Sequence, residues 1–576
     1  VVLAGLAHGV LLGASLPPVG VWVMALVAVV PLVWAGCRSA NRPMVGGLLA
    51  GLGTLPIWFY ESYWLVNVTA PGYPGLAVYL ALYPALFVWL VGVVRRVDWP
   101  VPMVLAAPVL WVMLEVLRGE LVMTGYAWYL LGHPLIDAPA LAAPASLLGV
   151  YGVSFLVAAL GGAVADASGW SGVHRPVGGA GALVTLVLWA ILSLAGRPGA
   201  ESPAARDVRF GVVQTNLPQS NKVGWGWSDR IKEFQRFAEL TRQAAAGPDG
   251  PLQSDVVVWP ETMFPGMTLN PEAVETERSL GLSFGVKGEA ALKFAPGGRL
   301  EATRFADEIV KLQREIGIPM LVGAIGVEGD YRRWLVERLG PEEVAPTPGL
   351  IRRFNSALVI GDGEVQRRRY DKRELTPFGE VIPYVWRFPR VQQWVLGLGA
   401  AGMSFDLVPG GLAAGLDVPV GGRNVRMATP ICFEATKAEL CRTLVRGDGS
   451  GRASVLVNLS NDGWFGDFDP GRAQHLLASR WRCVELGVPM VRAVNTGYSA
   501  AIDRRGVLTQ TRLADQSAGP SRVDGVLLAS VRIDPDRPTT MFERVGLGPA
   551  MAVSILGGIG SVTLLLRRRR IVRAGG

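Results

Sequence analysis

The sequence predicts a polytopic α-helical membrane bundle carrying one large α/β domain outside the membrane, and three observations lead there. Half of the 576 residues are hydrophobic and only 18% are charged, a balance more apolar than a soluble chain of this length carries. The excess is uneven: long uncharged runs fill Val1 to about Gly196 and return at Val545–Leu566, while the stretch between has a globular composition. Within that middle stretch, strand-like and helix-like patterns alternate. Residues 1–196 are therefore expected to form a bundle of about seven spans, 197–206 a linker, 207–537 the α/β domain, and 538–576 a final span with a basic tail.

A membrane span needs roughly 20 mostly apolar residues. Such runs lie near Val1–Leu16, Val19–Cys37, Met44–Val66, Leu76–Val94, Val101–Leu117, Ser146–Ala167, Val177–Leu194 and Val545–Leu566, about eight in all. The first is short and lacks the basic flank of a signal peptide, so it reads as a half-span or as a span entered part-way. Arg38 and Arg42, Arg95 and Arg96, Arg175, and Arg567 to Arg570 follow the second, fourth, sixth and eighth runs. Alternate loops are thus basic, which assigns them to the cytoplasm and sends the α/β domain to the periplasmic side. Aromatic clusters "WFYESYW" (Trp58–Trp64) and "GYAWY" (Gly125–Tyr129) fall at the outer ends of spans, where amphipathic rings favour the interface. Glu115 and Arg118, three apart on one helix face, read as a structural ion pair.

In the middle stretch, "VRFGVVQTN", "DVVVWPE", "PMLVGAIGV", "NSALVI", "VRMATPICFE", "ASVLVNLSND", "PMVRAVNTG" and "SAAIDRRG" read as short buried strands. Helical patterns intervene at about Ser228–Ala246, Glu301–Ile316, Ala435–Arg446 and Gly471–Leu486. Gly266–Gly298 is rich in turn residues and reads as a loop or lid rather than core.

The chemistry-bearing residues are few. Cys37, Cys432, Cys441 and Cys483 form no CxxC pair and no zinc-type spacing with the four histidines, so neither a disulfide framework nor a metal site is expected. The formal charge of +8 is drawn partly from the "RRRRIVR" tail beyond the last span, so membrane topology accounts for it better than nucleic-acid binding does. Three residues stand at strand ends: Glu261 after "DVVVWP", Lys372 in "RYDKRELTPFGE" and Cys432 in "TPICFE". A carboxylate, an ammonium and a thiol suffice for acyl transfer. Glu261 takes the thiol proton, Cys432 attacks a carbonyl, and Lys372 with a backbone N–H stabilises the oxyanion. The ammonium would also favour the thiolate. Taken singly, a buried cysteine is more often a small apolar filler than a nucleophile. His475 in "GRAQHLLASR" reads as a structural histidine, and Cys441 and Cys483 as packed thiols.

The ordered set "WPET", "YDKRELTPFGE", "ICFE" and "NDGWFG" resembles the nitrilase superfamily. Together with "LRGELVMTGYAWYLLGH", "GVSFL", "VVQTNLPQSNK" and a last span after "TTMFERVG", it resembles the apolipoprotein N-acyltransferase family from near the N-terminus to the final span. The resemblance implies an αββα nitrilase-like sandwich and a triad of Glu261, Lys372 and Cys432. It further implies supporting or substrate-binding roles for Glu380, Glu434, Asn355 and Trp464, and for one of Trp225 and Trp227, which compete for a single family position. Phe433 stands where several relatives carry Tyr, and Gly266–Gly298 is longer than usual. The implied reaction moves an acyl chain from a phospholipid, through a cysteine thioester, to the α-amine of the diacylglyceryl-cysteine of apolipoproteins. It needs no cofactor and takes place at the bacterial inner membrane with the catalytic domain periplasmic. Two rivals remain open: a membrane-anchored amidase using water as acceptor, and a non-enzymatic lipid-binding scaffold with a vestigial domain.

Overall fold

The computed structural model describes the chain except for residues 70–71, 98, 100, 173–174, 218–224, 247–252, 288, 340–346, 378, 382–406, 412–414, 450, 512–521 and 575–576. Five described helices are long and apolar enough to cross a membrane: Pro43–Glu61, Gly72–Arg96, Ala145–Ala167, Arg175–Ala195 and Gly548–Arg567. The first, second and fifth expected spans are also helical but shorter. The first is Val2–Ser15 and the fifth is Met103–Val116. The second breaks into Trp22–Met24, Ala25–Ala28 and Val30–Arg38. Pro31 opens its last piece, since a proline cannot donate the backbone bond that a continuous helix would require. Leu183, Val184, Leu556 and Ile559 face outward, the apolar exposure of lipid-facing helices.

The expected Glu115–Arg118 ion pair does not form among the described residues. The helix ends at Val116 in a wider turn, Leu117–Leu121, which carries Arg118 away from its neighbour. Arg118 instead donates to the Tyr129 carbonyl at 3.2 Å. Glu115 Oε1 accepts from the Trp111 indole at 2.9 Å and from Leu131 N at 2.6 Å. Glu115 therefore ties the irregular chain after the fifth helix back to that helix. Glu115→Leu is expected to lower the yield of folded protein several-fold while turnover per folded molecule stays near normal. The cause is two buried donors left without acceptors, at about 1–3 kcal/mol each. Normal yield with collapsed turnover would reassign Glu115 to substrate handling.

The extramembrane domain holds two six-stranded sheets. Its strands are β1 (Arg206–Gln214), β2 (Val256–Val258), β3 (Ser283–Gly285), β4 (Arg299–Glu301), β5 (Met320–Gly329), β6 (Ile351–Gly361) and β7 (Glu364–Asp371), followed by β8 (Leu416–Val420), β9 (Arg423–Ala428), β10 (Val455–Ser460), β11 (Met490–Val494), β12 (Ala500–Ile502), β13 (Leu508–Gln510) and β14 (Gly525–Ile533). One sheet runs β14-β1-β2-β5-β6-β7 and the other β13-β12-β11-β10-β9-β8. The centre of each is parallel (β1-β2-β5 and β9-β10-β11), and the flanks are antiparallel. Parallel strands covered on both faces must be apolar throughout, and Val256–Val258 and Val455–Ser460 are buried along their whole length.

The inner faces meet in one core that includes Phe210 and Val212 of β1 with Leu456 and Met490 of the opposite sheet. Helices Trp227–Ala246 and Arg304–Ile316 cover the outside of the first sheet through Phe234, Phe237 and Ile309. Ala438–Arg446 and Asp469–Leu486 pack on the second. The result is the four-layered αββα sandwich. Gly266–Gly298 departs from the loop expectation. It contains the helix Pro271–Ser279, strand β3 and the short helix Glu289–Phe294, and it buries Leu269, Ala291 and Phe294 in the same core as Phe305.

Candidate active site

The parallel strand β2 ends at Val258, and the chain turns sharply through Pro260, Glu261 and Thr262, the last at φ +49°. This turn lies against β5 so tightly that a Cβ at Gly323 would stand 2.2 Å from the Pro260 carbonyl oxygen. Glycine is required there by contact, and the contact fixes Glu261, which is buried. Strand β7 delivers Lys372 one residue past its end, and Lys372 N donates to the Asn355 carbonyl of β6 at 2.8 Å.

From these two strand ends one hydrogen-bonded cluster forms. Lys372 Nζ lies 2.6 Å from Glu380 Oε2 and 3.4 Å from Glu261 Oε1, and donates to Thr376 Oγ1 at 3.3 Å. Asn355 Nδ2 donates to Glu261 Oε1 at 2.7 Å and to Glu380 Oε1 at 3.3 Å. Thr376 N holds Glu380 Oε2 at 2.8 Å. Burial alone would strip the charge from Lys372, but the carboxylates of Glu380 and Glu261 outweigh it and hold the ammonium well above the usual lysine range. Burial likewise opposes ionisation of Glu380, and the Lys372 charge overcomes it, lowering that carboxyl.

Cys432 opens a tight turn, Cys432–Thr436, directly after Ile431 bridges to Leu459 of β10. Its φ of +52° is a conformation that residues with a Cβ seldom adopt. Three side chains hold it there. Asn458 Nδ2 donates to the Pro430 carbonyl at 2.8 Å and to that of Cys432 at 3.4 Å, and His475 Nε2 lies 3.3 Å from the Cys432 carbonyl. Glu434 supplies the third hold. Its carboxylate accepts from Ile431 N at 2.8 Å on the cysteine side, and from Arg373 N at 2.7 Å and Glu374 N at 3.0 Å just beyond Lys372. Tyr370 donates to the same carboxylate at 2.9 Å. One side chain therefore clamps the cysteine turn to the lysine turn.

The thiol is not pre-ionised. Burial and the Glu261 charge push Cys432 up to about 12, and the opposing pull of Lys372 is too small to reverse them. The ammonium does pull toward the thiolate, as expected, but desolvation and the Glu261 charge outweigh it. A nucleophile here needs a base at the moment of attack.

Residues 8–163 match the model of the apolipoprotein N-acyltransferase N-terminal domain, and residues 209–533 match that of carbon-nitrogen hydrolases. The apolipoprotein N-acyltransferase of Geobacter metallireducens is 30% identical over 99% of this chain and 96% of its own. That of Rhizobium meliloti is 30% identical over 88% and 86%, and that of Rhodopseudomonas palustris 28% identical over 98% and 94%. The chain belongs to the apolipoprotein N-acyltransferase family. It is an acyltransferase, and with its apolar helices a multi-pass bacterial membrane protein.

In this member of the apolipoprotein N-acyltransferase family the remaining residues of interest divide by position. Trp227 starts the helix Trp227–Ala246 and stacks on Phe284 with ring centres 4.2 Å apart, a packing role. Trp225 donates to Glu233 and lies beside the Arg230 guanidinium, whose carbon is 5.1 Å from its ring. No described contact joins either tryptophan to the Glu261–Lys372 cluster. Trp464 is half-buried in the turn Asp462–Phe465. Cys441 and Cys483 are buried free thiols, and Cys441 Sγ donates to the Glu434 carbonyl at 3.3 Å.

His475 is more than filler, and sequence reasoning missed its place. His475 Nδ1 lies 2.9 Å from Asp462 Oδ1 and 3.0 Å from Arg492 Nη2, while Nε2 faces the Cys432 carbonyl. Burial and Arg492 lower His475 below its usual range, so the neutral ring is favoured. Asp462, which Arg492 and His475 keep ionised against its burial, completes the network. "NLSND" held the signal, since two asparagines and an aspartate at the end of a buried strand need partners.

The site is also tied to the bundle. Lys437 Nζ donates to the carbonyls of Thr124 at 2.6 Å and Gly125 at 3.0 Å. Trp128 stacks on His475 with ring centres 5.7 Å apart. Glu485 Oε1 accepts from Val150 N at 3.0 Å, and the Trp481 indole donates to the His133 carbonyl at 3.1 Å.

Proposed function

We propose that this protein transfers an acyl chain from a phospholipid to the α-amino group of the diacylglyceryl-cysteine that begins an apolipoprotein, through a thioester on Cys432. Glu261, Lys372 and Cys432 carry the reaction in this reading. Glu380, Asn355 and Glu434 position them, while Trp464 and Trp225 face substrate. Glu261 accepts the Sγ proton as sulfur attacks the ester carbonyl, and Lys372 with a backbone N–H stabilises the oxyanion. The glycerol oxygen leaves with the proton returned by Glu261. The acceptor amine then attacks the thioester carbonyl, sulfur departs and regains a proton, and an amide remains.

The observation that carries this reading is the buried ammonium of Lys372 held between Glu261 and Glu380, near enough to Cys432 to act on its thiol, within a domain hydrogen-bonded to the helical bundle. Two lipid-anchored substrates meet such a site by diffusion in the membrane plane. Protein loaded from phospholipid should release its acyl chain to a diacylglyceryl-cysteine peptide with a free amine and keep it when that amine is acetylated. Equal release to the acetylated peptide would favour hydrolysis instead.

The same reading puts residues 207–537 in the periplasm and the enzyme in the inner membrane. Asp229 and Arg42 are exposed. In a Cys37→Ser background, an impermeant thiol reagent should label Asp229→Cys in intact spheroplasts and Arg42→Cys only after permeabilisation. The reverse pattern would overturn the orientation.

A further inference from the structure

Away from Cys432, a groove of about 600 Å³ opens where the bundle meets the catalytic domain. Ala143 and Leu147 line it at the start of the helix Ala145–Ala167. Arg197, just past the end of Arg175–Ala195, joins them with Arg504, Arg505 and Arg537, and no carboxylate is among its lining residues. The groove thus gathers four guanidinium groups at the ends of membrane helices.

Their charge is incompletely matched. Arg537 has only 4% of its side chain exposed, and its Nη1 lies 2.8 Å from Glu543 Oε2. Glu543 is shared, because Arg452 Nε holds its other oxygen at 2.9 Å. Nε and Nη2 of Arg537 are buried with no hydrogen-bond partner among the described residues, an arrangement that costs free energy unless an acceptor is supplied. Arg504 donates to the Gly199 carbonyl at 2.9 Å and lies 3.8 Å from Glu201. Arg505, 62% exposed, pairs with Asp503 through Nη2 and Nε, each at 2.9 Å, whereas Arg197 is exposed with no ion pair among the described residues. Below Arg197, Leu194 and Ile191 present apolar surface on the membrane helix, 60% and 56% exposed.

We propose that this groove binds the phosphate of an anionic membrane phospholipid, held as a bound lipid at the bundle–domain junction and separate from the acyl-donor site. Guanidinium forks match phosphate oxygens bidentately. Basic pockets between membrane helices collect lipid head groups for the same reason. Leu194 and Ile191 lie on the helix whose end, Ala195, lines the groove, and their exposed apolar side chains would meet the acyl chains. A soluble anion would use the arginines and leave that apolar surface unused.

The test is native mass spectrometry of the full chain in neutral detergent, titrated with phosphatidylglycerol, phosphatidylcholine or inorganic phosphate. Arg197→Ala with Arg505→Ala removes two exposed cations whose loss does not disturb packing, and circular dichroism should match wild type. Wild type is expected to retain one phosphatidylglycerol more than the double variant, whose affinity at that site should fall roughly thirtyfold, the effect of two interfacial cations. Phosphatidylcholine retention should be the same in both proteins. Equal phosphatidylglycerol retention would overturn the proposal. Displacement of the lipid by millimolar inorganic phosphate, with the same arginine dependence, would identify a free-phosphate site and overturn it equally. Neither outcome depends on whether Cys432 forms a thioester.

Discussion

Cys432→Ala is expected to take up no acyl chain and to lose at least about ten-thousandfold in turnover, the scale on which removing a covalent nucleophile acts. Wild-type protein incubated with phospholipid alone should gain one acyl mass, removable by hydroxylamine and mapping to Cys432. Cys441→Ala and Cys483→Ala should load normally, since both thiols are buried and neither belongs to the Glu261–Lys372 cluster. The loading step should depend on a base, because burial raises the Cys432 thiol to about 12 and leaves little thiolate at neutral pH. Glu261→Gln should therefore fold but load slowly. In the wild-type protein, alkylation of Cys432 by a small haloacetamide should keep rising about tenfold per pH unit past the ordinary cysteine value of about 8.5. Wild-type protein that stays unlabelled in active membranes, or carries the acyl group elsewhere, would return Cys432 to the role of a packed thiol.

Lys372→Arg should also fail, although it keeps the charge. The ammonium has 1% exposure and three oxygen neighbours within 3.4 Å, from Glu380, Glu261 and Thr376. A planar guanidinium is larger and directs its donors differently, so it cannot enter that space without displacing Glu261 or Glu380. A loss of at least about a hundredfold in kcat is expected, the lower range for removing one oxyanion donor. Near-normal turnover by a folded Lys372→Arg protein would remove Lys372 from the mechanism.

Much of this was legible in the residues. The eight strand patterns singled out by their apolar runs all correspond to strands, because strands buried on both faces cannot avoid such composition. Strand β7, "EVQRRRYD", escaped because it is an edge strand with mostly exposed charged side chains, and it nonetheless delivers Lys372. Strands β3 and β4 are three residues each, too short for a period to show. Glu261, Lys372 and Cys432 stood out by residue type at strand ends. The Glu434 clamp did not, since nothing in "ICFE" says that its carboxylate reaches the backbone beyond Lys372, 61 positions away. The Glu115–Arg118 pair was misread because helical spacing was assumed to continue through a turn where the helix widens.

The contacts from Lys437, Trp128, Glu485 and Trp481 across the boundary have a consequence for the enzyme's independence. Here the His475 ring that faces the Cys432 carbonyl is stacked on a tryptophan of the bundle, and the helix following the cysteine turn is fastened to backbone carbonyls of a bundle loop. Excising residues 207–537 would strand an ammonium, an indole and a carboxylate that now find partners in the bundle. Helices answer a thinner or thicker bilayer by tilting, and a tilt of the bundle would move those carbonyls and that tryptophan. Such a tilt would therefore be felt at the backbone of Cys432, through His475 and the turn that Lys437 follows.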